Sequence, residues 1–184
     1  MKYIIFDLEA TCLKENRNDF RNETIEIGAV KCIYNNKFLE SVNTFNVFIK
    51  PYLNPKLSDF CMELTTITQK DVDSAEYFPG AISKFQKWIG SGNYLLCSWG
   101  DYDKKQFVND CILHGLDYVW TEDHFNLKKD FSRIRGMKKE IGMKKALDIL
   151  NIPLDGTHHR GIDDAINIHK IFLRHFKEWS FHNE

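Results

Sequence analysis

The sequence lacks a Cys-x-x-Cys pair, although it has five cysteines in 184 residues. An odd number of scattered thiols argues against a disulfide framework, and the missing pair spacing argues against a structural zinc site. No apolar run approaches the roughly 20 residues that a membrane-spanning helix needs. The N-terminus also lacks the basic, apolar and small-residue regions of a secretory signal. We therefore expect a cytoplasmic protein with reduced thiols.

An excess of charge of one sign is also missing, because 25 Lys and Arg nearly balance 26 Asp and Glu, for a formal net charge of −1. Any attraction for nucleic acid must therefore be local. Hydrophobic residues make up 43% of the chain and charged residues 28%, as in folded globular proteins. With no repeat or linker, the sequence predicts one domain spanning residues 1–184.

The apolar pattern predicts an α/β fold with a mixed central sheet flanked by helices. Strands are predicted at 2–9, 24–34, 37–51, 93–99 and 123–127, and Asn35 and Asn36 join the second and third as a hairpin. Helices are predicted at 68–75, 79–90, 103–115, 142–151 and 161–177. The last helix is expected to bury Ile162, Ile166, His169, Leu173 and Phe176. In such folds ligands bind near the ends of parallel strands.

The first predicted strand, within YIIFDLEATCL (3–13), places two acids where its apolar residues would continue into the core. Side chains at positions i and i+2 leave the same face of a strand, so Asp7 and Glu9 point the same way. Two closely spaced carboxylates repel each other and lose hydration when they are buried. The pattern therefore indicates a site where a bound cation offsets the repulsion.

Two further acid pairs lie at junctions between predicted elements. Asp101 and Asp103 occur where the strand 93–99 meets the next helix, and Asp163 and Asp164 open the last helix. If these ends converge with the first strand, at least four carboxylates share one site. Oxygen ligands without cysteine favour Mg²⁺ or Mn²⁺ over Zn²⁺. Two such ions about 3.5–4 Å apart support in-line phosphodiester hydrolysis.

A histidine precedes the last acid pair at a spacing that suits a general base. His159 lies five residues before Asp164, which places it in the loop before the helix rather than on the same helix face. An imidazole beside a metal cluster can take the proton of an attacking water. The neighbouring His158 competes with His159 for this role.

These residues resemble the DEDDh signature of DnaQ-like 3′→5′ exonucleases, which have the RNase H-like fold. The resemblance is closest to the Eri-type exoribonuclease and KapD-like branch, and it is carried by DLEATC (7–12), LSDFCMELTTITQKDV (57–72), WGDYDKKQF (99–107) and GTHHRGIDDAINI (156–168). It covers nearly the whole chain. It implies a metal-dependent exonuclease that acts on single-stranded 3′ ends, prefers RNA and releases 5′-mononucleotides.

The resemblance also implies a catalytic set, with His159 as the general base and two divalent cations held by Asp7, Glu9, Asp103 and Asp164. The family's spacing to Phe107 selects Asp103 over Asp101. The His-x4-Asp spacing selects His159 over His158 and Asp164 over Asp163. We then expect Asp101 to cap its helix and Asp163 to lie near the positive end of the helix dipole.

The substrate contacts are predicted from proximity in sequence. Phe60 and Trp99 could stack a splayed base, although aromatic side chains are equally common in cores. The backbone amides of Ala10 and Thr11 could meet the terminal sugar. Met62 and Leu64 are expected to wedge, that is to pack, against the last base of the substrate.

Basic residues are concentrated at 128–145, where eight Lys and Arg against two acids leave a local excess of +6. This segment could follow a phosphate backbone, or it could be an ordinary solvated helix surface.

Two alternatives to an exoribonuclease stay open. One is a DNA-trimming exonuclease of the same chemistry. The other is a regulatory RNA- or protein-binding protein on an exonuclease scaffold, because one KapD-like branch is linked by name to a kinase pathway in sporulation.

Overall fold

A six-stranded mixed sheet forms the centre of the protein. The computed structural model describes residues 1–15, 17, 19–35 and 37–182. The strands are β1 (Lys2–Ala10), β2 (Thr24–Asn35), β3 (Phe38–Lys50), β4 (Glu76–Tyr77), β5 (Tyr94–Ser98) and β6 (His124–Asn126). Their order is β4-β3-β2-β1-β5-β6.

The pairs β1–β2 and β2–β3 are antiparallel, which agrees with the predicted hairpin. The pairs β1–β5, β5–β6 and β3–β4 are parallel. Asn36, in the predicted hairpin join, lies outside the described residues.

Helices cover the sheet and fill its connections. They are α1 (Asp59–Thr65), α2 (Gln69–Asp73), α3 (Phe78–Ile89), α4 (Tyr102–Leu113), α5 (Leu127–Ile134), α6 (Met143–Leu150) and α7 (Gly161–Arg174). In the described part of the chain, no helix is long and apolar enough to cross a membrane. The prediction of a mixed sheet flanked by helices is confirmed.

The similarly short helices α2 and α6 were predicted, whereas α1 (seven residues) and α5 (eight residues) were not. Their starts are nevertheless marked by capping side chains. The Ser58 hydroxyl accepts a hydrogen bond from the Cys61 amide, and the Asn126 side chain accepts one from the Lys129 amide. Capping residues were therefore the better signal for these two elements.

Strand β1 is covered on both faces, which explains its nearly continuous apolar run. Tyr3 and Ile5 pack into the core on the side of α7, whereas Ile4, Phe6 and Leu8 pack into the core that contains residues of α3 and α4. Because side chains alternate along a strand, Asp7 and Glu9 continue the face of Tyr3 and Ile5. The two acids therefore leave β1 on the side where α7 lies.

The predicted apolar face of the last helix is confirmed only in part, because Ile166 packs against the core and Phe176 is buried, but Leu173 is not. Leu173 is 40% exposed, and Phe176 lies beyond the end of α7 at Arg174. The apolar side chains that α7 buries are instead Ala165, Ile168, Ile171 and Phe172. Helix α7 packs against both β1 and β2, and the residues that face these strands are the ones that it buries.

A glycine pair lets the start of α7 approach the sheet closely. A Cβ atom placed on Gly28 of β2 would overlap the backbone of Gly161, the first residue of α7. A Cβ atom on Gly161 would lie 3.2 Å from the carbonyl oxygen of Asp7. This contact fixes the first turn of α7, which carries Asp164, against the end of β1.

We expect Gly28→Ala to lower the free energy of unfolding by about 3 kcal/mol or more, because backbone atoms must move to make room. Urea unfolding followed by circular dichroism measures the loss. Gly142→Ala is the matched control, since no atom lies within 4 Å of a Cβ added there. Its expected cost is below about 1 kcal/mol. Equal, small effects in both variants would show that α7 can shift freely.

Candidate active site

Three elements bring the predicted carboxylates to one cavity of about 400 Å³. Asp7 and Glu9 lie near the end of β1, Asp103 in the first turn of α4 and Asp164 in the first turn of α7. Single carboxylate oxygens of Asp7, Glu9 and Asp164 lie within 4.8 Å of one another. His159 lines the same cavity. The five residues of the predicted catalytic set are therefore neighbours in space.

Asp103 is held in place by the strand that carries the other two acids. Its carboxylate accepts a hydrogen bond from the Leu8 amide at 3.2 Å, and the side chain is almost fully buried. Because Leu8 lies between Asp7 and Glu9, this bond ties the start of α4 to the acidic end of β1. The carboxylate of Asp103 therefore has little freedom to move away from the cluster.

The two acids that sequence spacing set aside lie elsewhere. Asp101 occupies the N-cap position of α4, but its side chain makes no capping hydrogen bond, so the predicted capping role is wrong. Asp163 lies in the first turn of α7, where its carboxylate accepts a hydrogen bond from the Thr157 amide at 2.7 Å. That bond closes the loop that leads into the helix.

Asp164 organises the two histidines. Its carboxylate accepts a hydrogen bond from the His159 amide at 3.1 Å and lies 2.9 Å from Nδ1 of His158. His159 has a φ of 66°, in the left-handed region that non-glycine residues rarely occupy. The two imidazole rings consequently stack, with centroids 4.0 Å apart. The predicted placement of His159 in the loop before α7 agrees with this structure.

The electrostatics favour a neutral imidazole at His159. Burial lowers its pKa first, repulsion from His158 lowers it further, and the nearby Asp164 carboxylate opposes both effects. A neutral imidazole has a free lone pair and can accept a proton.

The negatively charged carboxylates repel one another, and little positive charge faces them to offset this repulsion. Burial and then the negative charges of Asp103 and Glu9 raise the pKa of Asp7 well above its usual value. Burial and the charge of Asp164 raise the pKa of Glu9 to about 8. Burial raises the pKa of Asp103 to about 6, against the hydrogen bond from Leu8. Lys144 is the only Lys or Arg among the described residues that line the cavity.

These raised pKa values predict that the metal-free protein loses stability as the pH rises from about 6.5 to 8.5. A carboxyl group whose folded pKa exceeds its unfolded pKa stabilises the fold at low pH, and that contribution is lost as the pH rises through the folded value. The buried His124 and His169, with folded pKa values lowered to about 4, oppose this loss only up to about pH 7, where the histidines of the unfolded chain have released their protons. The fall in stability is therefore clearest between about pH 7 and 8.5.

Thermal unfolding in EDTA across this pH range measures the loss. Glu9→Gln is the matched variant, because it keeps the shape of the side chain and removes a titrating group with a pKa of about 8. We expect a smaller fall in melting temperature for Glu9→Gln than for the parent protein. Parallel curves would contradict the assigned pKa.

Trp99 is the one predicted substrate contact that lines the cavity. Its indole Nε1 donates a hydrogen bond to the carbonyl of Ile141 at 2.9 Å, and its ring packs against Phe131 with centroids 5.5 Å apart. The core packing of Trp99 is therefore confirmed, and its ring also forms part of the cavity wall, while stacking on a base stays a prediction.

The other predicted substrate contacts lie outside the wall of this cavity: Ala10, Thr11, Phe60, Met62 and Leu64. The proposed role of the Thr11 amide is wrong, because that N–H donates to the carbonyl of Glu23 at 2.8 Å. Met62 packs against the small core formed by Ile25, Leu57, Cys61, Ile67 and Val72. Met62 is only partly buried, and contact with substrate stays a prediction for Ala10, Phe60, Met62 and Leu64.

Sequence reasoning missed several residues of the cavity wall, among them Tyr102 and Lys144. Tyr102 is 52% exposed and lies between Asp101 and Asp103, so an aromatic side chain at a helix start was the available signal. Lys144 belongs to the basic segment 128–145 and is the cation of that segment that lines the cavity.

Sequence reasoning also missed Glu26, a fully buried acid in β2 opposite Glu9. Its carboxylate accepts hydrogen bonds from the Gly161 amide at 2.9 Å and from the Arg160 guanidinium at 3.1 Å. Glu26 thereby anchors the end of the histidine loop to the sheet. The signal was an acid inside the apolar strand TIEIGAV.

A protein-family model for exonucleases (RNase_T) matches residues 4–172. The chain belongs to this exonuclease family. It is 34% identical over 179 residues to human 3′-5′ exoribonuclease 1, which covers 92% of the chain and 51% of the relative. It is 30% identical over 171 residues to the probable 3′-5′ exonuclease KapD of Bacillus subtilis, covering 92% and 82%. The chain thus spans about half the length of the exoribonuclease 1 relatives.

The fold agrees with this family membership. The nuclease domain of 3′hExo, described as a DEDDh family member bound to rAMP, superposes with a TM-score of 0.87 at 33% sequence identity. The superposition covers 96% of this chain and 92% of that domain. The predicted RNase H-like fold and the resemblance to DEDDh exonucleases are confirmed.

Proposed function

We propose that this exonuclease-family protein is a metal-dependent 3′→5′ exonuclease that hydrolyses single-stranded nucleic acid and releases 5′-mononucleotides, with RNA preferred. The observation that carries the proposal is the convergence of four carboxylates and a histidine on one cavity. A protein that only binds RNA needs no general base, so the complete set favours catalysis over the regulatory-binding alternative.

The residues fit divalent cations. The clustered oxygens of Asp7, Glu9 and Asp164 lie within 4.8 Å of one another, and burial together with mutual repulsion raises the pKa of Asp7 and Glu9. Hard oxygen donors favour Mg²⁺ or Mn²⁺. Asp7, Glu9, Asp103 and Asp164 would hold two such cations. When bound, the cations would supply Lewis-acid stabilisation and lower the pKa of the attacking water.

The protein's own groups supply positioning and proton transfer. His159 accepts the proton of the water nucleophile, and its loop is oriented by the bond from its amide to Asp164. The Leu8 amide orients Asp103 in the same way. Trp99 and Tyr102 bound the cavity and offer aromatic surface to the terminal nucleotide, with stacking worth about 1–3 kcal/mol per base.

The preference for RNA rests on the relatives. The chain is similar to proteins named 3′-5′ exoribonuclease 1 and to a solved nuclease domain with bound rAMP. DNA is the competing substrate of the same chemistry. The single-domain organisation over residues 1–184 and the cytoplasmic location stay predictions.

The test uses single-stranded RNA with a 5′ label and a free 3′-hydroxyl, incubated with Mg²⁺ or Mn²⁺. We expect a ladder that shortens from the 3′ end, that EDTA abolishes, and that forms more slowly on DNA of the same sequence. An RNA whose 3′-hydroxyl is blocked by phosphate controls for recognition of the terminus. Faster cleavage of DNA would favour the DNA-trimming alternative. Intact RNA that stays bound to folded protein would favour the binding-protein alternative.

A further inference from the structure

The loop before α7 brings two neighbouring imidazoles to the same side of the chain. In an extended segment, consecutive side chains point in opposite directions. Here the left-handed backbone of His159, with a φ of 66°, turns its ring onto that of His158, and the ring planes differ by only 24°. Such a conformation costs energy in a non-glycine residue and commonly marks a functional site.

The stacked histidines and Asp164 form a donor set distinct in chemistry from the oxygen cluster. One nitrogen of His158, one nitrogen of His159 and one oxygen of Asp164 lie within 4.8 Å of one another. The other such set, Asp7, Glu9 and Asp164, offers oxygen only. Asp164 is almost fully buried and belongs to both sets. Imidazole nitrogens suit borderline-soft ions, whereas carboxylates suit hard ones.

We propose that His158, His159 and Asp164 form a second metal site that takes a borderline-soft divalent cation, Zn²⁺ above all, and that its occupation inhibits the exonuclease. Two imidazoles and one carboxylate with a further position open to water is a ligand set that Zn²⁺ adopts in proteins. Ligands of one tetrahedral ion lie about 3.3–3.5 Å apart at bond lengths near 2.1 Å, so the three side chains must move inward. The two stacked rings must also rotate, because the lone pair of an imidazole lies in the plane of its ring and both lone pairs have to point at the ion.

Inhibition follows from the two residues that the site shares with the catalytic set. A Zn²⁺ ion here occupies the lone pair with which His159 would accept a proton. It also binds the carboxylate of Asp164, which the oxygen cluster needs as a ligand for its own cations. The inhibitory effect rests on the proposed function, whereas the metal site itself does not. His158 takes no part in the proposed catalytic set. A substitution of His158 therefore removes a ligand of the Zn²⁺ site and leaves the carboxylate cluster intact.

The first experiment measures metal binding without nucleic acid, by calorimetric titration of the full chain with ZnCl₂ and separately with MnCl₂. We expect His158→Gln to weaken Zn²⁺ binding by more than about tenfold and to leave Mn²⁺ binding nearly unchanged. Asp7→Asn should weaken Mn²⁺ binding and leave Zn²⁺ binding nearly unchanged. Retained Mn²⁺ binding also shows that His158→Gln is folded. Zn²⁺ binding that is lost in Asp7→Asn and kept in His158→Gln would overturn the proposal.

A thiol pair provides a necessary control. Cys12 packs against the small core that contains Cys61, and its side chain lowers the pKa of Cys61 to about 7, which makes this pair a competing ligand for Zn²⁺. Cys12→Ser should therefore leave Zn²⁺ affinity within about threefold of the parent protein. Loss of Zn²⁺ binding in Cys12→Ser, with binding kept in His158→Gln, would also overturn the proposal.

The second experiment adds Zn²⁺ to the RNA assay in excess Mg²⁺. We expect the Zn²⁺ concentration for half-inhibition to rise by more than about tenfold in His158→Gln, each protein being compared with its own Zn²⁺-free rate. Equal sensitivity in both proteins would overturn the inhibitory role. If the parent protein shows no nuclease activity with any metal, the proposed function fails, and the titrations still decide whether the site exists.

Discussion

Asp7→Asn is expected to lower the turnover of RNA 3′ ends by at least about a hundredfold while the protein stays folded. Asp7 contributes an oxygen to the cluster with Glu9 and Asp164, and the amide that replaces it is a poor ligand for a hard cation. The same change removes a charge that its neighbours repel. The metal-free variant should therefore unfold at a slightly higher temperature near pH 8 than the parent protein.

Turnover and thermal unfolding, measured on the same preparations, separate a catalytic from a structural effect. Asp101→Asn is the matched control, because Asp101 is exposed, makes no capping hydrogen bond and lies only two residues from Asp103. Its turnover should stay within about twofold of the parent protein, as expected for a surface change. Normal turnover in Asp7→Asn would contradict the assignment of the carboxylate cluster.

His159→Asn is expected to reduce kcat by about 10²–10⁴-fold with a smaller change in KM, because a general base contributes that much to a hydrolysis. Asparagine is the appropriate replacement, since it tolerates the left-handed backbone that His159 adopts with a φ of 66°. It also keeps the amide N–H that donates to Asp164. The loop should therefore persist without the imidazole.

Mn²⁺ binding provides the control for His159→Asn. Because the four carboxylates are intact in this variant, Mn²⁺ should still raise its melting temperature, whereas the same shift should be lost in Asp7→Asn. If His159→Asn keeps activity within about threefold of the parent protein, the base is a different group. A greater loss in His158→Gln would then point to its neighbour, which lies 2.9 Å from the Asp164 carboxylate.

Local patterns and the family resemblance together were sufficient to predict which acids line the cavity. The alternation of β1 places Asp7 and Glu9 on one face, and both buried cores of the sheet obey the same alternation. Spacing within the resemblance selected Asp103 and Asp164, and the structure places these two at the cavity while Asp101 and Asp163 make other contacts or none. Each inference needed only residues close together in the chain.

Contacts between distant parts of the chain could not be predicted in this way. The buried face of α7 depends on how Gly161 meets Gly28, 133 positions earlier, and no helical period in the sequence carries that information. The Thr11 amide is occupied because β1 and the segment before β2 meet at Glu23. Lys144 lines the cavity because α6 begins beside it.

The most direct test of the catalytic account is hydrolysis of single-stranded RNA in H₂¹⁸O, followed by mass spectrometry of the released products. The account predicts 5′-mononucleotides with one ¹⁸O atom in each 5′-phosphate, because water attacks the phosphorus and the 3′-oxygen of the shortened chain is the leaving group. Unlabelled products, or products that end in a 2′,3′-cyclic phosphate, would show that the 2′-hydroxyl is the nucleophile. That result would contradict water activation by His159 and the carboxylate cluster.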